Sequence, residues 1–197
     1  MQVRQKIAVF GGTFDPVHKG HVAVLKAAAK ALKPVKIIIV PAYKNPLKTL
    51  MPGASANQRV TMCRKAFSEI LNVSVCLFEI RKKKPVYTIE TIRYLRKRFG
   101  ANKEYVFICG SDTAKNLSQW RDIDKLCKIC SFAAAGRRGA AIKKSARVSY
   151  RIPMKQVHVE ASSIRSRIQA KSLNENNLPP AILQWVRQNN LYGYAKN

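Results

Sequence analysis

The chain has 197 residues, 47% of them apolar, and 37 lysines and arginines against 10 aspartates and glutamates give it a formal net charge of +27. That length and apolar content predict a single domain, 1–197, with a real core. The basic start Met1–Lys6 runs into only four apolar residues before Gly11-Gly12, which gives no support to a signal peptide or a membrane span.

Charge of this sign raises nucleic-acid binding, because lysines and arginines that displace counterions bind phosphate without regard to sequence. The cations are spread along the chain, however, with only local bunches such as Arg81–Lys84 and Arg96–Arg98. A solvated basic surface that steers anionic ligands inward is expected, with no specific nucleic acid as partner. Five cysteines, at 63, 76, 109, 127 and 130, are an odd number, several of them in apolar runs. They read as reduced, buried thiols of a cytoplasmic protein. Cys127-Lys128-Ile129-Cys130 lacks the second ligand pair that a zinc site needs, so it reads as packing.

In chain order, short apolar or β-branched runs predict strands at Lys6–Phe10, Val35–Val40, Val73–Phe78, Tyr105–Cys109, Ile129–Ala135 and Gln156–Val159. Helical stretches fall between them near Gly20–Leu32, Ala56–Ile70, Thr88–Phe99, Thr113–Leu117 and Ile123–Leu126. Two more follow at Ile164–Gln169 and Ala181–Gln188. The alternation predicts an α/β fold, a Rossmann-like doubly wound parallel sheet with helices on both faces. Ligands are then expected at the carboxyl ends of the strands.

The most informative stretch is Gly11-Gly-Thr-Phe-Asp-Pro-Val-His-Lys-Gly-His21, where a strand passes through a glycine turn into a helix start and so prepares an anion site. A side chain at Gly11 or Gly12 would fill space that a nucleotide needs. Thr13 offers a hydroxyl, Phe14 can pack, and Asp15 and Pro16 can hold the loop. His18 and His21 are three apart, so on a helix beginning near Val17 they share a face and can donate to one phosphate chain. The pattern is neither G-x-G-x-x-G nor a P-loop. Late in the chain, Ser162 can cap a helix whose first turn carries Arg165, and amides, hydroxyl and guanidinium there suit a second anion contact.

The run resembles the H-x-G-H loop of the nucleotidyltransferases and, in its full form, that of bacterial nicotinate-nucleotide adenylyltransferases. Asn45-Pro46-Leu47-Lys48, Pro85–Thr88, Gly110-Ser111-Asp112, Trp120, Ala161–Arg165 and Leu178–Tyr192 are similar to that family in the same order. The resemblance implies transfer of an adenylyl group from ATP to nicotinate mononucleotide, releasing pyrophosphate, by in-line attack on the α-phosphorus. It implies His18, His21 and Arg165 as catalytic residues, with Gly11, Gly12, Thr13, Phe14, Lys48 and Ser162 on the ATP side. Thr88, Gly110, Asp112 and Trp120 would bind the acceptor, and Mg2+ would be held by the phosphates and water without a protein metal site.

Three positions depart from the family pattern: Leu47 replaces a common histidine, Glu160 a small hydroxyl residue, and Arg121 an aromatic residue. Nicotinamide mononucleotide and phosphopantetheine stay open as acceptors, as does a non-catalytic, basic nucleic-acid binder on the same scaffold. The sequence is compatible with a homo-oligomer and offers no membrane association.

Overall fold

Strand β1 (Lys6–Gly12) buries four consecutive residues, Ile7 to Phe10. Apolar side chains on both sides of the pleat require cover on both faces, the condition of a central parallel strand. The computed structural model describes residues 4–47, 50–136, 147–155 and 157–194. In it, β1 lies beside β2 (Lys36–Pro41), which is followed outward by β3 (Val73–Val75). On its other side come β4 (Glu104–Gly110), β5 (Ser131–Gly136) and β6 (Tyr150–Pro153). The order is β3-β2-β1-β4-β5-β6 and every neighbouring pair is parallel.

Connections from β1 run outward one way and those from β4 the other, so the crevice between their carboxyl ends is the topological switch point where such sheets bind ligands. The register pairs Phe10 with both Ile39 and Ile108. Gly11, Gly12 and Gly110 therefore end side by side at that crevice.

The helices are α1 (Lys19–Leu32), α2 (Ala56–Ala66), α3 (Phe78–Lys82), α4 (Thr88–Phe99), α5 (Ser111–Lys115), α6 (Ile123–Cys127), α7 (Ala161–Gln169) and α8 (Pro180–Gln188). Alternate strand residues sort them. Ala8, Phe10, Ile37 and Ile108 share a core with Leu25 of α1, Met62 of α2, Ile164 of α7 and Ile182 of α8. Ile7, Val9, Ile38 and Phe107 share the other with Ile92 of α4, Ala114 of α5 and Leu126 of α6. Among the described residues, no helix is long and apolar enough to cross a membrane.

Three expectations need correction. The last strand is Tyr150–Pro153, whereas residues 157–159 of the expected Gln156–Val159 strand are irregular and Gln156 lies outside the described residues. Pro153 hides the true strand from a propensity reading, yet an edge strand tolerates a residue without an N–H, and Ile152 is its one buried position. The third strand stops at Val75, because Phe78 opens α3 and stacks on Tyr94 of α4 at 4.2 Å. Finally, Cys127 at the end of α6 is exposed, while Cys63, Cys109 and Cys130 are buried free thiols.

Candidate active site

Helix α1 starts one residue after His18, which holds the extended N-cap conformation (φ −132°). The backbone N–H of His18 donates to Nδ1 of His21 at 3.2 Å, and the two rings stack with centroids 3.7 Å apart. Burial lowers the His18 pKa to about 4. Burial and the neighbouring His18 hold His21 well below the ordinary imidazole range. Both rings are thus neutral at pH 7, and since Nδ1 of His21 accepts, its proton sits on Nε2 as a donor.

Nδ1 of His18 is buried and has no hydrogen-bond partner among the described residues. An orphaned polar atom of this kind costs free energy until a ligand satisfies it. The glycine between the histidines is explained by the same ring: a Cβ on Gly20 would lie 3.0 Å from Cε1 and Nδ1 of His18. Gly11 and Gly12 also have close neighbours within the fold. Their Cβ atoms would meet the rings of Phe107 (2.9 Å) and Phe14 (3.0 Å), so a larger residue at either position would have to displace an aromatic ring.

The loop between β1 and α1 is held from behind. Asp15, 3% exposed, accepts from the backbone N–H groups of Gly53 (2.7 Å) and Ala54 (2.9 Å) and from the Tyr192 hydroxyl (2.8 Å). Arg165 donates to the Asp15 carbonyl oxygen at 2.6 Å and lies 3.6 Å from its carboxylate. Arg59, on α2 and 1% exposed, donates to the carbonyls of Thr13 (2.8 Å), Ala42 (2.6 Å), Tyr43 (3.1 Å) and Ala54 (3.3 Å). Phe14 takes a left-handed φ of 54° and packs edge-on against His21 at 5.1 Å. The sequence reading missed Arg59 and Tyr192. Arg59 carried a signal, because it stands three and four residues before the buried Met62 and Cys63, on the apolar face of an amphipathic helix.

A cavity of about 1170 Å³ opens over the switch point, larger than the few hundred to about 1,000 Å³ usual for a single ligand. One wall belongs to the α1 face and carries His18, His21, Met154 and Val159. The opposite wall belongs to the α4 face and carries Glu79, Tyr87, Thr88, Trp120 and Arg121. Thr88 is the first residue of α4, so the positive amino end of that helix opens on the cavity. Trp120 packs edge-on against Phe107 (5.4 Å) and Phe132 (5.9 Å), which supports its ring from behind. Glu79 is 8% exposed and accepts from the Thr91 hydroxyl at 2.6 Å. Burial pushes its carboxyl up to about 7, against the opposing pull of the Thr91 bond.

Of the expected site residues, Gly11, Gly12, Thr13, His18, His21, Thr88, Gly110 and Trp120 line this cavity. Phe14 does not, because its ring is 1% exposed within the core. Ser162 is exposed and is not the cap of α7: that helix starts at Ala161 behind Glu160, so Ser162 falls in its first turn. Neither Ser162 nor Arg165 is on the cavity wall, the latter being drawn onto Asp15. Lys48 lies outside the described residues, as does the side chain of Asp112 in the first turn of α5. Leu47 stands 67% exposed at the rim.

Residues 9–169 match the cytidylyltransferase-like family model. The "Probable nicotinate-nucleotide adenylyltransferase" of a Nitratiruptor species is 39% identical over 92% of this chain and 96% of its own length. The protein of that name from Shouchella clausii is 33% identical over 96% and 97%. Among solved structures, nicotinic acid mononucleotide adenylyltransferase of Plasmodium falciparum complexed with NaAD superposes with a TM-score of 0.76. It shares 17% identity, with 97% of this chain and 98% of that one covered, and so speaks for the fold.

Proposed function

The chain belongs to the cytidylyltransferase-like family, with nicotinate-nucleotide adenylyltransferases as relatives over nearly its full length, and from that premise we propose that it joins nicotinate mononucleotide to ATP. The products are nicotinate adenine dinucleotide and pyrophosphate, a step of NAD biosynthesis that we assign to the cytoplasm. The observation that carries the reading is the stacked, neutral His18–His21 pair at the amino end of α1, facing a two-walled cavity at the switch point.

A phosphate oxygen of the mononucleotide attacks the α-phosphorus of ATP and displaces pyrophosphate. The nucleophile is already anionic at neutral pH, so the chain's task is alignment and stabilisation of charge rather than proton removal. His21 donates from Nε2 to the triphosphate, its tautomer fixed by the His18 N–H. His18 offers Nδ1, which has no hydrogen-bond partner among the described residues. The glycine ends of β1 and β4 admit the phosphates close to the backbone, Thr13 adds polar contact, and the amino end of α1 favours their charge. Thr88 and Trp120 bind the acceptor's ring from the other wall. Arg165 contributes by holding Asp15, and with it the histidine loop.

Magnesium fits this site as a companion of the nucleotide. The α1 wall offers imidazole and backbone groups, and the one carboxyl named on the α4 wall is bonded to Thr91; Mg2+ prefers oxygens and gives up water reluctantly. When bound, it would neutralise phosphate charge. The reading is tested by pyrophosphate release from Mg-ATP with nicotinate and nicotinamide mononucleotides offered separately. Release with the acid form supports it, and release with neither removes it.

A further inference from the structure

Nicotinate and nicotinamide mononucleotides differ in one group, a carboxylate in place of an amide, so a wall separates them only by charge or by hydrogen-bonding pattern. Arg121 lies on the acceptor wall directly after Trp120. Its guanidinium rests 4.6 Å from the centroid of the Tyr87 ring, and Tyr87 immediately precedes Thr88 at the amino end of α4. A guanidinium stacked on an aromatic face keeps its edge N–H donors free, in the fork that matches a carboxylate.

The neighbouring acids do not use up that fork. Asp122 feels the Arg121 charge but forms its ion pair with Lys125, at 3.0 Å, and Glu79 accepts from Thr91. Glu79 also fails to cancel the attraction, because burial keeps its carboxyl largely protonated below about pH 7. Building on the proposed adenylyl transfer, we propose that Arg121 selects the carboxylate on the acceptor's pyridine ring over an amide, with Tyr87 as the platform that holds its guanidinium in place.

Lys115 also lines the cavity and provides the control for charge in general. At saturating Mg-ATP, kcat/KM is measured for both mononucleotides with wild type, Arg121→Gln, Arg121→Lys and Lys115→Gln. Arg121→Gln is expected to lower kcat/KM for the acid about tenfold, through KM, because a charge-assisted bidentate contact is lost. The amide should change less than about twofold and the KM for ATP should stay in place, as for a contact confined to one acceptor group. Arg121→Lys should recover part of the loss, since it keeps the charge without the fork. Lys115→Gln should leave the ratio of acid to amide unchanged. The assignment is overturned if Arg121→Gln lowers both acceptors equally or spares the acid, with a thermal melt confirming that the variant is folded. Wild type that turns over neither mononucleotide would overturn the adenylyl-transfer reading and this assignment together.

Discussion

Burial acts in opposite senses on the titratable groups of the α1 wall and the α4 wall of the cavity. His18 and His21 are neutral because burial strips their protons, while Glu79 approaches neutrality because burial makes it retain one. His18 and His21 thus bring no charge to the α1 wall, Arg121 and Lys115 bring positive charge to the cavity lining, and the net charge of +27 adds long-range attraction for anions. The walls also differ in construction. The two histidines come from one continuous stretch, braced by Asp15 and Arg59, whereas the titratable and aromatic groups of the α4 wall are gathered from α3, α4 and the segment after α5.

The harshest way to break this contrast is Arg59→Leu. It would leave the carbonyls of Thr13, Ala42, Tyr43 and Ala54 without this donor, and each buried acceptor left unsatisfied costs about 1–3 kcal/mol. Urea unfolding is expected to show that loss, and a variant as stable as wild type would refute the bracing role. Next comes His18→Ala or His21→Ala, expected to lower kcat by about 10²-fold or more as a donor to developing charge disappears. The KM for the acceptor should barely move, and a shift in it comparable to the kcat loss would merge the two walls into one functional unit.

The protonation contrast is sharpened by stability measured against pH. For His18, the folded pKa of about 4 lies below the ordinary value of 6.5, so the unfolded chain binds more protons in that window and acidification from 6.5 toward 4 destabilises. For Glu79, the folded value of about 7 lies above the ordinary 4.5, so the folded chain binds more protons and raising pH from 4.5 through 7 destabilises. Between pH 4.5 and 6.5 the two slopes oppose each other. Glu79→Gln removes one of them, and stability should then rise by about 2 kcal/mol across that window relative to the wild-type profile. Superimposable profiles would contradict the buried, protonated state of Glu79. The smallest effect is expected for Tyr192→Phe, about 1 kcal/mol for one bond to Asp15, read as a lowered melting temperature with the KM for the acceptor unchanged.

The parts legible in the sequence are those whose physics is local. Ile7 to Phe10 announces a buried strand, and Thr88–Phe99 is placed to the residue because its apolar positions recur at helical spacing. His18 and His21 pair on their separation alone, since a helix start puts positions three apart on one face. Tyr150–Pro153 is illegible because a strand with one buried residue and a proline lacks the usual pattern, and its pairing with β5 supplies what propensity does not. Serine at 162 looks like a cap, yet the helix begins at Ala161, where only packing fixes the boundary.

Alternating strands and helices, the glycine turn and the histidine spacing together indicated the fold class and the meeting of His18 and His21 at the amino end of α1, for these depend on neighbours within a few residues. Only the folded chain decided that Arg165 grips Asp15, 150 residues away, and that Tyr192 reaches the same carboxylate across 177. The same is true of the burial of Glu79 and of the place of Arg121 over Tyr87. Burial and long-range partnership depend on which surfaces meet when layers pack, and no periodicity along a single segment encodes that meeting.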